Sequence, residues 1–167
     1  MLGNKVITTF LVSMLALASL ALPLNAAAID LVTTTDGSPI KIAPELFDTP
    51  AAQEFLATGK NPYIGNEDAI KAGKKRFGYY SCTQCHGPEA KGQVGPGLIG
   101  PTFRYPKDAT NKGMFETIWN GTNGGMGAKG LGLMNPTDPT DGLKPDEVLK
   151  IISWIRNEGG NHPSGNE

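Results

Sequence analysis

The pentapeptide Cys82-Thr83-Gln84-Cys85-His86 constrains this 167-residue chain more than any other stretch. C-x-x-C-H is the attachment signal for a c-type haem. Two thiols at this spacing can add across the two vinyl groups of one porphyrin. The histidine that follows is then placed beneath the iron as an axial ligand. Other uses of a cysteine pair fit less well. A disulfide framework needs more than one adjacent pair. A structural zinc site needs about four ligands, and the second histidine, His162, stands near the C-terminus. A thioredoxin-like CxxC belongs beside a βαβ pattern, and the sequence shows none. Cys82 and Cys85 are the two cysteines of the chain. If both hold haem, no disulfide staples the fold, and the porphyrin has to supply much of the core.

Residues 1–28 read as a signal peptide. Lys5 gives the positive start, residues 7–22 are almost wholly apolar, and Pro23-Leu24-Asn25-Ala26-Ala27-Ala28 offers small residues for cleavage after Ala26 or Ala28. The apolar run is short for a spanning helix, which argues against a stable membrane anchor. Export and CxxCH support each other, because c-type haem is attached outside the bacterial cytoplasm. The expected location is the periplasm. About 140 residues remain, enough for one small domain. The whole chain has 15 Lys+Arg against 16 Asp+Glu. Cleavage removes Lys5 and no acid, leaving 14 against 16 and a net charge of −2. That excludes a basic excess for nucleic acid and any strong steering field.

The expected organisation is a signal at 1–28, an N-terminal extension at 29–65, a haem domain at 66–160 and a disordered tail at 161–167. In the extension, the alternation over Ile29 to Thr33 before Asp36-Gly37 suits a brief strand or an extended strap. Thr49 and Pro50 open a short helix that Gly59 ends. Asn66 caps the next helix, with Glu67 and Asp68 in its first turn. It runs to about Tyr79 with Ile70, Gly73 and Phe77 on one face, and it delivers the chain into CxxCH. Its basic run, Lys71, Lys74, Lys75 and Arg76, reads as a solvated face. Gly95 to Gly100 formally matches GxGxxG, but no strand precedes it and Pro96 sits inside the turn, so a dinucleotide site is rejected. Asn111 to Asn120 is a helix with Met114 and Ile118 inward. The last helix begins at Pro145-Asp146-Glu147, carries an apolar stripe of Val148, Ile151, Ile152 and Ile155, and stops at Gly159-Gly160. Leu143 and Val148 suit a hydrophobic staple. Lys144 is a poor N-cap, so its first turn is expected to fray.

Iron with one histidine leaves its other face to a second ligand or to solvent. Met114 has helical apolar spacing and reads as core. Met134 follows Leu131-Gly132-Leu133. Met126 sits in Asn123-Gly124-Gly125-Met126-Gly127, where glycines let backbone pass close to a flat ring. Met126 is the preferred sixth ligand, with Met134 the alternative. Thioether ligation favours reduced iron and suits electron transfer.

A Gly73/Phe77 helix leading into CxxCH, then Gly95-Pro96-Gly97-Leu98, a methionine loop and a terminal helix with Trp154 resembles class I cytochromes c. The resemblance implies a mostly α fold of short helices around one covalent haem c, with the helix before CxxCH crossing the last helix. It also implies that the Pro96 carbonyl bonds the other ring nitrogen of His86. Asp48 to Tyr63, Tyr105-Pro106-Lys107, the Met126 loop and Pro145 to Leu149 with Ile152 to Arg156 are similar to the cytochrome c-L family. That family accepts electrons from periplasmic quinoprotein methanol dehydrogenases. The likeness implies a monomeric electron carrier, not an enzyme. It would make transient contacts with such a dehydrogenase and with a downstream c-type cytochrome. The longer 128–142 segment looks more like the branch paired with lanthanide-dependent enzymes. Arg104, Tyr105 and Trp119 are candidates to hold the haem propionates. Two alternatives remain: a carrier for another dehydrogenase or a terminal oxidase, and a haem sensor or peroxidase with open iron.

Overall fold

The computed structural model describes residues 28–159. Apart from Ala28 the expected signal lies outside them, as does the tail from Asn161 with His162. Five α-helices are described, α1 (Pro50–Thr58), α2 (Glu67–Tyr79), α3 (Thr83–His86), α4 (Asn111–Asn120) and α5 (Pro145–Glu158), with 3-10 turns at Pro44–Leu46 and Pro106–Ala109. Among the described residues β structure is limited to two isolated bridges, Val32 with Pro39 and Gly130 with Leu143. The segment that suited either a strand or a strap is therefore a strap. It is tied to the body through Ile29 N–H to the Leu56 carbonyl, 2.8 Å, and Val32 N–H to Glu116 Oε1, 2.8 Å.

Local chemistry explains the helix ends. The Thr49 hydroxyl accepts Ala52 N–H at 3.2 Å, Pro50 fills the first helical position, and Gly59 closes α1 in the left-handed region at φ 76°. Asn66 caps α2 through Ala69 N–H at 2.9 Å, and Thr110 caps α4 through Gly113 N–H at 3.0 Å.

The core is built on the crossing of α2 and α5. Ala69, Gly73 and Phe77 form the buried face of α2, while Ile70 is half-buried at its edge. A Cβ at Gly73 would overlap the Lys150 backbone carbonyl, so only glycine lets the helices approach this closely. One turn on, the Phe77 ring lies 4.6 Å from that of Trp154. Around the expected stripe of α5, Leu149, Ser153, Trp154 and Arg156 are buried as well, because α1, α2 and α4 all pack on it.

The first turn of α5 is not frayed. Glu147 accepts the Lys144 backbone N–H at 3.0 Å, which ties the helix start without help from the lysine side chain. Asp146 accepts the hydroxyls of Thr49 at 2.9 Å and Tyr63 at 2.6 Å and the Lys150 ammonium at 2.6 Å. Burial raises the Asp146 pKa, but these bonds outweigh it and hold the carboxyl below its ordinary value.

Candidate functional site: a haem cleft

The motif stands where α2 stops. Cys82 N–H still reaches the Phe77 carbonyl at 3.1 Å, and a single turn, α3, then carries Cys85 and His86. Both thiols are free, Cys82 half-buried and Cys85 exposed, so neither is consumed by a disulfide. His86 is buried. Its Nδ1 lies 2.8 Å from the Pro96 carbonyl oxygen. A carbonyl only accepts, so Nδ1 carries the proton and Nε2 keeps the lone pair that a metal needs. The 92–97 loop is pinned to the motif by Gly92 N–H to the His86 carbonyl, 2.9 Å, and Gly95 N–H to the Cys85 carbonyl, 2.8 Å. A Cβ at Gly95 would stand 3.3 Å from the imidazole Cε1.

Three spaces border this histidine, and Met126 borders all three. One, of about 450 Å³, runs along Cys82, Gln84, Cys85 and the 124–127 glycine loop. A second, of about 200 Å³, has a polar end formed by Arg104, Tyr105, Asp108 and Thr122. The third, of about 30 Å³, is an apolar floor of residues such as Phe77, Leu98, Met114, Ile118 and Ile151. Met114 is 3% exposed, as its helical spacing implied. Met134 borders none of the three spaces and packs against the core from its edge.

Of the three propionate candidates, Arg104 and Tyr105 line the polar end. Trp119 does not reach it. Its indole lies against Gly130, where a Cβ would stand 2.5 Å from the ring, and it stacks on Phe115 at 5.7 Å. A carbonyl-oriented imidazole, two free thiols, a thioether, an apolar floor and an arginine at one end fit a haem.

Asp108, which sequence reasoning missed, also borders the cleft. It is 7% exposed. Burial pushes its carboxyl up to about 6, against the lowering effect of the Thr117 hydroxyl, Lys107 and Arg156. Nothing at Lys107-Asp108-Ala109 marks it, because its burial depends on the 3-10 turn Pro106–Ala109 folding against α4.

A histidine-bearing CxxCH turn inside a helical shell defines a c-type haem protein. Residues 70–158 match the family model described as cytochrome c, and the chain belongs to that family. Its cofactor is one covalently bound haem c. It is 41% identical over 109 residues to cytochrome c-L of Methylorubrum extorquens. That match covers 65% of this chain and 50% of the relative, so the chain spans about half the length of the curated relative it matches. Two solved structures share the fold. Cytochrome cL from the marine methylotroph Methylophaga aminisulfidivorans is 34% identical with a TM-score of 0.65, over 77% of this chain and 80% of that one. Cytochrome cL from Hyphomicrobium denitrificans is 36% identical with a TM-score of 0.66, over 78% and 73%. Among the described residues no helix is long and apolar enough to cross a membrane.

Proposed function

We propose that this protein is a periplasmic one-electron carrier between a quinoprotein methanol dehydrogenase and a downstream c-type cytochrome, with the iron held between His86 and Met126. The observation that carries the ligand assignment is the shared cleft: His86 and Met126 border the same three spaces, while Met134 borders none. Haem supplies reversible one-electron chemistry; the chain sets its terms. Cys82 and Cys85 anchor the ring edge. The Pro96 carbonyl fixes the tautomer and direction of His86. The apolar floor disfavours the extra charge of oxidised iron, and a thioether raises the potential further. His86 and Met126 would together hold the iron and leave no substrate site at it, which separates a carrier from a sensor or peroxidase.

The dehydrogenase partner rests on the likeness to cytochromes c-L and on the Asp48 to Tyr63 block. Two residues of that block have a structural use, since Thr49 and Tyr63 grip Asp146. Those two residues serve the fold. Rapid-mixing reduction by purified methanol dehydrogenases tests the partner: fast reduction by a lanthanide- or calcium-dependent enzyme is expected, and reduction only by an unrelated dehydrogenase would overturn it. For the ligand, the near-infrared methionine-to-iron band should vanish in Met126→Ala and persist in Met134→Ala. The reverse pattern would move the ligand to Met134.

A further inference from the structure

Among the described residues, Asp108 is the one acidic side chain that borders the haem cleft. It stands on the 3-10 turn Pro106–Ala109 and is packed from three sides. From α4, the Thr117 hydroxyl donates to its Oδ1 at 2.7 Å, and Glu116 lies beside it, itself ion-paired to Lys107 at 2.8 Å and Lys112 at 2.6 Å. From α5, the Arg156 guanidinium donates to the Asp108 backbone carbonyl at 2.6 Å rather than to the carboxyl. From the N-terminal strap, Thr34 Oγ1 stands 2.9 Å from Thr117 Oγ1. The other charged or titratable groups lining the same space are His86, Arg104 and Tyr105. With Asp108 ionised, Thr34 donates to Thr117 and Thr117 to the carboxylate; with Asp108 protonated, both bonds can reverse. The result is a chain of hydroxyls from the half-exposed strap to a carboxyl in the cleft wall.

We propose that Asp108 is a redox-linked acid that gives up its proton when the haem iron is oxidised and takes it back on reduction. The balance is one for one. Ferrous iron with protonated Asp108 becomes ferric iron with the Asp108 carboxylate, one electron and one proton. The electron passes to the carrier's one-electron acceptor. The proton leaves through Thr117 and Thr34. The physical cause is the added positive charge on the iron, which favours the carboxylate across a poorly solvated cleft. Burial keeps the carboxyl close to the pH at which such a change tips it. The Glu116 charge is largely spent on its two lysines, so the iron is the charge that changes. This inference rests on the electron-carrier reading but not on the identity of the dehydrogenase.

Spectroelectrochemical titration of the holoprotein from well below to well above pH 6 tests it. The midpoint potential should be flat in acid and fall through the window. The slope should approach about 59 mV per pH unit, the one-electron equivalent of a tenfold change. Asp108→Asn should abolish the slope and sit above the wild type at alkaline pH, and Asp108→Glu should restore it. Thr117→Ala removes a bond to the carboxylate and should move the window to higher pH without shrinking the fall. A slope that survives Asp108→Asn would assign the proton to a propionate and overturn the proposal, as would a flat wild-type profile. If Asp108→Asn does not take up haem, an unmoved window in Thr117→Ala overturns it instead. Loss of Met126 ligation would show in the near-infrared band and the absolute potential, leaving the slope to report on Asp108 alone.

Discussion

The α2–α5 crossing and the haem cleft are made in opposite ways. The crossing is closed by the chain alone: Gly73 admits the Lys150 backbone, Phe77 meets Trp154, and the side chains from Val148 to Ile155, Lys150 apart, are almost wholly shielded. The cleft is walled by loops, 87–105 and 121–134, in which glycines and single hydrogen bonds replace packed side chains. Its apolar floor has no side chain of its own to fill it. A rigid frame therefore positions His86 from behind, while the opposite wall is built from loops. That division suits a carrier. The frame would hold His86 fixed through many redox cycles.

Substitutions can break this contrast, starting in the frame. Phe77→Ala removes a buried ring from the crossing and should cost about 4 kcal/mol in urea unfolding, even with haem attached. Gly73→Ala drives a methyl into a backbone carbonyl that cannot swing aside, and should cost about 3 kcal/mol. If it were neutral, the two helices would be sliding apart freely and the frame would not be rigid. Asp146→Asn is predicted to cost about 1–2 kcal/mol near neutral pH, discounted because Lys150 is partly solvated. The Asp146 pKa is held below its unfolded value of 3.8. Its contribution is therefore complete above that value and is lost as pH falls through the folded one, so the gap to wild type should close in acid. Gly125→Ala, in the loop wall, meets nothing within 4 Å but sits at φ 98°. It should cost only about 1 kcal/mol. Its larger effect should be on the midpoint potential, since it moves the loop that carries Met126.

Much of the frame could be read from the chain in advance, because helix ends are written locally. Thr49-Pro50, Asn66 and Gly59 act within a few residues of themselves, and α1, α2, α4 and α5 follow from such signals. What was hidden depends on partners distant in sequence. The burial of Trp154 and Arg156 on the far side of α5 reflects three neighbouring helices, and a single stripe cannot encode three contacts. The firm start of α5 comes from Glu147, Thr49 and Tyr63, two of them in the N-terminal extension. Trp119 has the chemistry for a propionate but is turned away by the approach of Gly130. In the site, CxxCH announced its own geometry. The Pro96 bond entered only through family resemblance, and Asp108 had no signal at all.

The strap adds a matter of timing. Its Val32 amide is bonded to Glu116, 84 residues later, and the motif lies between them. A chain delivered N-terminus first exposes Cys82 to His86 before the Val32 amide has its acceptor. The order of residues thus lets the thiols emerge before this part of the strap can close, because closure waits for Glu116 of α4.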